Sequence, residues 1–133
     1  MRIAYLVLAH QRPRQLRRLV ERLSGSQTRC YIHVDRRAPK AVSGAVQNLA
    51  GVQLVEALTC RWGTFSLVQA ILRCLYAALD DETFRCDVAV LLSGQDYPIK
   101  SQDEIRARLD AHPNAEFIES FADRKSTRLN SSH

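Results

Sequence analysis

The chain has no hydrophobic run long enough to cross a bilayer. Its first apolar stretch, Ile3 to Ala9, is seven residues long, against the roughly 20 that a spanning helix needs. No small-residue cleavage pattern follows it, so it reads as a first core strand and not as a leader. GxGxxG, GxxxxGK[ST] and HExxH are all missing, which removes the signatures of dinucleotide, P-loop and zincin sites. The cysteines Cys30, Cys60, Cys74 and Cys86 never reach CxxC spacing. That excludes a CxxC metal or redox motif and leaves buried free thiols as the expectation. There is no block of like charge either: the net charge of +5 is spread along the chain. Such a balance suits a diphosphate ligand as well as a nucleic acid, and no nucleic-acid partner is expected from it. A pair of neighbouring acids after an apolar strand is also lacking. Val88 to Leu92 runs into Ser93-Gly94-Gln95-Asp96, with one carboxylate where a metal-holding turn would carry two.

The end of the chain departs from the rest. Asp123 to His133, DRKSTRLNSSH, has no apolar periodicity and matches, residue for residue, one reading frame of a common sequencing adapter. It is set aside from fold reasoning as a fusion scar would be. Without its three basic residues and one acid, the totals of 19 basic and 14 acidic residues fall to 16 and 13, a net +3. Residues 1 to 122 are then expected to be the N-terminal part of a longer domain.

Within those residues strands and helices alternate. Ile3 to Leu8 is nearly all apolar, as in a parallel strand covered on both faces. From Pro13 to Leu23 the spacing turns helical, with Leu16, Leu19, Val20 and Leu23 on one stripe and Pro13 at the first helical position. Cys30 to Val34 reads as a second strand ending at Asp35, Ala41 to Leu49 as a weak helix, and Val52 to Val55 as a short strand. Ser66 to Leu79 is the clearest helix, with Ser66 and Gln69 as a capping box. Val88 to Leu92 is a buried-looking strand, Ser101 and Glu104 open another helix, and Glu116 to Ser120 is a last strand. The order predicts an α/β fold: a mainly parallel sheet with helices on both faces and right-handed crossovers.

Ligands of such sheets gather beyond the carboxyl ends of the strands. Ala9-His10, His33-Val34-Asp35 and Ser93 to Asp96 all fall there. His33, inside its strand, reads as a packing residue. His10 and Asp35 read as site residues, with Asp35 an exposed rim carboxylate. Asp96, before Tyr97-Pro98, either meets a ligand or caps the turn.

Four blocks, AYLVLAH, YIHVD, RWGTFSLVQAILRCL and LLSGQDYPIKSQDEI, together resemble the core-2/I-branching N-acetylglucosaminyltransferase family, which includes peptide O-xylosyltransferases and bacterial homologues. The resemblance implies a GT-A-like fold and an inverting transferase that moves N-acetylglucosamine or xylose from a UDP-sugar to a glycan or peptide hydroxyl. It implies no metal and no other cofactor. It places Ala9, His10, Asp35 and Trp62 beside the donor nucleotide, with Gly63 allowing close backbone approach, and Gln95 and Asp96 in the donor or acceptor region. The general base and the diphosphate-binding cations would lie beyond residue 122, so this chain by itself is expected to be inactive. A cytoplasmic location, with peripheral membrane association as an addition, goes with that reading. The alternative is a non-catalytic nucleotide-binding or regulatory α/β domain.

Overall fold

The computed structural model describes residues 1–61 and 65–111. Trp62 and Gly63, the expected strand over Glu116 to Ser120 and the adapter-like stretch Asp123 to His133 lie outside the described residues. The chain divides into two compact units, Met1–Gln102 and Asp103–His133. The first unit carries all the strands of the sheet.

Four strands, β1 (Ile3–Ala9), β2 (Thr28–Val34), β3 (Val52–Leu54) and β4 (Val88–Ser93), form one sheet in the order β3-β2-β1-β4. All three pairings are parallel, with Ala9 opposite Val34 and Leu8 opposite Ser93 at the carboxyl ends. Helices α1 (Pro13–Leu23), α2 (Lys40–Gly44) and α3 (Phe65–Asp80) make the connections, and α4 (Gln102–Ala111) follows β4. The expected α/β class and parallel sheet are therefore present. No helix among the described residues is long and apolar enough to cross a membrane.

Strand side chains alternate between faces. Ala4, Leu6 and Tyr31 pack with Cys74 and Ala78 of α3. The opposite parity, Ile3, Tyr5, Val7 and Ala9, is just as buried and meets the α1 side, whose stripe Leu16, Leu19, Val20 and Leu23 is closed to solvent. Each such leucine or valine contributes about 1.5–3 kcal/mol on leaving water. The stripe works because α1 starts where it must. Arg12 takes a left-handed conformation, φ 59° and ψ 69°, and turns the chain sharply out of β1. Pro13 then enters the first turn at no cost in hydrogen bonds.

Two expectations need correction. The apolar run of β4 is not buried throughout: the strand lies at the sheet edge and alternates half-buried with exposed residues, leaving Leu91 49% exposed. Ser66 does not cap α3 from outside. The helix begins at Phe65, and the Ser66 hydroxyl accepts a bond of 2.9 Å from the Arg61 N–H, tying the preceding loop to the helix. The thiols are free as expected, but only Cys30 and Cys74 are buried, with Cys60 and Cys86 partly exposed. Burial pushes Cys30 and Cys74 each up to about 12, which keeps them protonated and unreactive.

At the amino ends of the strands a polar knot closes the sheet. Asp81, just after α3, accepts from Arg29 Nη1 at 2.7 Å, Tyr31 Oη at 2.8 Å and Thr83 Oγ1 at 2.6 Å. The Arg29 guanidinium also stands 5.1 Å from the Phe84 ring centre. The Thr83 hydroxyl, with Tyr31 and Arg29, holds the Asp81 carboxyl well below the usual carboxylate range despite its burial. A depressed folded-state value means that Asp81 adds stability above about pH 4, lost as pH falls further. Asp81→Ala should lower the unfolding free energy by about 2–3 kcal/mol at neutral pH and flatten the acid limb of the stability curve. Urea titrations at several pH values check this; unchanged midpoints would contradict it.

Candidate functional site

The carboxyl ends of β1, β2 and β4 surround a cavity of about 720 Å³, within the range of small-ligand sites. Leu8, Leu67, Ile71 and Leu92 form apolar walls, while His10, Asp35, Arg37 and Ser93 bring polar groups to it. Each group is there for a local reason. Ala9 ends β1, and its carbonyl accepts the Asp35 N–H at 2.9 Å, so His10 and Asp35 emerge side by side. Gly94 closes the β4 end against the same point. Its N–H bonds Leu8 O at 2.7 Å, and a β-carbon there would lie 3.0 Å from Ala9 Cβ and 3.4 Å from Leu16 Cδ1. That spacing leaves room for glycine alone without movement of β1.

Asp35 is not the exposed rim carboxylate that its place at a strand end suggests: it is 8% exposed. Its Oδ1 accepts the Arg37 N–H at 2.8 Å and Arg37 Nε at 3.4 Å, and its Oδ2 accepts the Cys60 N–H at 2.9 Å. Arg37 also donates to the Cys60 carbonyl. The strand end therefore grips both polar groups of Cys60, which stands just before Trp62. The physical reason is the burial itself, since a desolvated carboxylate persists only where donors surround it. Burial alone would raise the Asp35 pKa. The two backbone N–H groups and the Arg37 guanidinium outweigh it and hold the carboxyl below its ordinary value.

His33 repeats the arrangement one step back. It is 1% exposed, and its Nε2 accepts the Leu58 N–H at 2.9 Å. An accepting Nε2 requires the neutral ring with its proton on Nδ1. Burial lowers the His33 pKa, with the Asp35 charge pulling the other way. The packing role read from sequence is right, and the same ring also lines the cavity.

Of the residues singled out from sequence, the structure gathers Ala9, His10 and Asp35 around the cavity. Gln95 and Asp96 stand apart from it in the turn after β4. Asp96 Oδ2 accepts the Ser93 N–H at 2.8 Å, and Gln95 gives its carbonyl to Gln15 Nε2 at 2.7 Å. Trp62 lies outside the described residues. Ser93, placed at the rim from sequence, lines the cavity, and so do Arg37, Cys60 and Arg61, which sequence reasoning missed. Arg37 carried a signal, a cation two residues beyond a strand-end acid; Cys60 carried none, because its partner is 25 residues away. Among the described residues no three His, Cys, Asp or Glu side chains are grouped to hold a metal ion.

Such a site offers an apolar slot for a flat ring system, one ionised carboxylate with some acceptor capacity left, and a guanidinium at its edge. It can hold a polar heterocycle with an attached anion. It is poorly suited to taking a proton. Asp35, the carboxylate among the described lining residues, is committed to donors and made a weaker base by them.

A family model described as Core-2/I-Branching enzyme matches residues 3–132. Human xylosyltransferase 2 is 32% identical over 125 residues, covering 90% of this chain and 14% of that protein. Mouse xylosyltransferase 2 is 31% identical and rat xylosyltransferase 1 is 29% identical over the same length, covering 14% and 15% of those proteins. The chain thus spans about one-seventh of the length of these curated relatives.

Two outcomes test the geometry. Asp35→Asn turns one acceptor oxygen into a donor facing an N–H, so the unfolding free energy should fall by about 1–3 kcal/mol; equal urea midpoints would contradict the buried arrangement. For His33 the folded pKa lies below the unfolded one, so stability is full above about pH 6.5 and declines as pH falls through that value. His33→Phe should be less stable at pH 8 and lack the decline, which denaturation at stepped pH reads directly.

Proposed function

This chain belongs to the Core-2/I-branching enzyme family, and from that premise we propose that it carries the donor-binding part of a UDP-sugar-dependent glycosyltransferase. The observation that carries the reading is the cavity at the ends of β1, β2 and β4, with apolar walls, the ionised Asp35 and Arg37 at its edge. Uracil or ribose groups donate hydrogen bonds that a carboxylate lone pair or the His10 ring can accept. The diphosphate is met by guanidinium and backbone N–H groups, since the β4 turn carries one carboxylate, Asp96, already used by the Ser93 N–H. A metal ion is not required in this scheme. The family resemblance adds Trp62 to the nucleotide side of the same reading. The sugar is xylose, after the relatives' names, with N-acetylglucosamine, the other sugar that the resemblance implies, as the second choice. The acceptor is a hydroxyl of a glycan or peptide, and transfer proceeds with inversion through in-line attack. The general base is a carboxylate other than Asp35.

Calorimetric titration of UDP into the chain tests this, with Mg²⁺ and then with EDTA. Saturable binding that is unchanged by EDTA is expected. His10→Ala should weaken it by about 0.5–1.5 kcal/mol, the loss of one hydrogen bond. Absence of binding would leave the donor reading without support, and loss of binding on chelation would contradict the metal-free scheme.

A further inference from the structure

A second cavity, of about 640 Å³, lies on the other side of the β1–α1 turn and is lined by Arg12, Pro13, Arg14, Gln15, Arg18 and Tyr97. We propose that this groove seats an anionic saccharide, one bearing carboxylate or phosphate groups, as the acceptor; the acceptor role rests on the glycosyltransferase reading.

The charge is the first observation. Arg17, Arg29, Arg37 and Arg73 each pair with an acid. The side chains of Arg12, Arg14 and Arg18 have no ion pair or hydrogen bond among the described residues, and no acid lines the groove with them. The single acid of α1, Glu21, is taken by Arg17. Three uncompensated guanidinium groups around one concavity repel one another and attract an anion. Arg14 and Arg18 are four residues apart on one helix, so their side chains stand roughly 6 Å apart along the groove. That spacing suits anions repeated along a chain better than one compact ion.

The walls are the second. Pro13 and the half-exposed Tyr97 present flat apolar faces, and the C–H face of a pyranose packs on such surfaces as other apolar groups do on aromatic rings. An acidic peptide would answer the charge but has no use for both rings.

Position is the third. His10 lines the donor cavity and Arg12 the groove from one turn, and Ser93 at the end of β4 and Tyr97 beyond it divide in the same way. The Gln15 side chain bonded to Gln95 O at 2.7 Å fixes α1 to that second turn. A saccharide in the groove therefore ends beside the donor cavity, where its terminal hydroxyl meets the sugar to be transferred.

The test uses the whole 133-residue chain and three probes of equal length, an oligogalacturonate, a neutral chito-oligosaccharide and an oligoglutamate, each followed by calorimetry. The oligogalacturonate should bind, the other two at least about tenfold more weakly, and high salt should weaken it. Arg14→Glu combined with Arg18→Glu should weaken it by about tenfold or more, since two attractions become repulsions. An acid in the first turn of α1 favours the helix, so folding is preserved and far-UV circular dichroism verifies it. Tyr97→Ala should weaken the saccharide and leave residual oligoglutamate binding as it was. UDP titrated into the same double variant should bind as to the wild type. If UDP binds neither protein while the oligogalacturonate binds only the wild type, the donor reading fails and the groove stands. No oligogalacturonate binding, equal binding of the oligoglutamate, or a double variant that binds like the wild type would each overturn the proposal.

Discussion

A carboxylate buried at the end of a strand must be surrounded by donors, and the way Asp35 meets that demand shapes the site around it. Its two oxygens take the N–H groups of Arg37 and Cys60, and the guanidinium of Arg37 closes on the Cys60 carbonyl. His33 takes the Leu58 N–H, and the Arg36 N–H reaches Leu58 O at 3.0 Å. These contacts from one strand end hold the loop after β3 against β2. Without them the loop would carry unpaired backbone groups into the interior, which costs more than the bonds return in water. The cavity is the space this grip leaves between the loop, the β1 end and α3.

The two ends of the sheet divide the labour. At the amino ends the charges are consumed internally: Asp81 with Arg29 and Tyr31, and Asp87 with the Arg2 N–H at 2.7 Å. At the carboxyl ends Arg37 is shared between Asp35 and the first cavity, and Arg12, Arg14 and Arg18 at the second stay available. The amino edge is closed by its own charges, while the carboxyl edge both holds the loop after β3 and lines the cavity. A parallel sheet allows this because every strand leaves it in the same direction.

The strands and helices were legible because their signals are local. The apolar run of β1, the stripe of α1 behind Pro13, and the turn at Ser93-Gly94 each need only neighbours in sequence. His10 and Asp35 were legible as site residues because strand ends in such a sheet share one rim. What sequence could not show was contact between distant segments. Burial of Asp35 depends on a backbone N–H 25 residues downstream, which no pattern around Asp35 records. The same holds for Ser66, whose hydroxyl serves Arg61, and for the exposed side of β4, which follows from its place at the sheet edge. The arginine groove was not legible because Arg14 and Arg18 lie off the apolar stripe of α1, where charged residues are ordinary, and Tyr97 joins them only through the turn after β4.

The central claim is that the strand ends, held by Asp35, form a nucleotide cavity. A ¹H–¹⁵N correlation spectrum of the labelled chain, recorded while UDP is added, tests it most directly. Saturable shifts should concentrate on the amides of Ala9, His10, Arg37, Cys60 and Arg61, which line the cavity, and spare Asp81 to Asp87 at the far end of the sheet. Shifts absent from those five amides, or spread evenly over the chain, would contradict it.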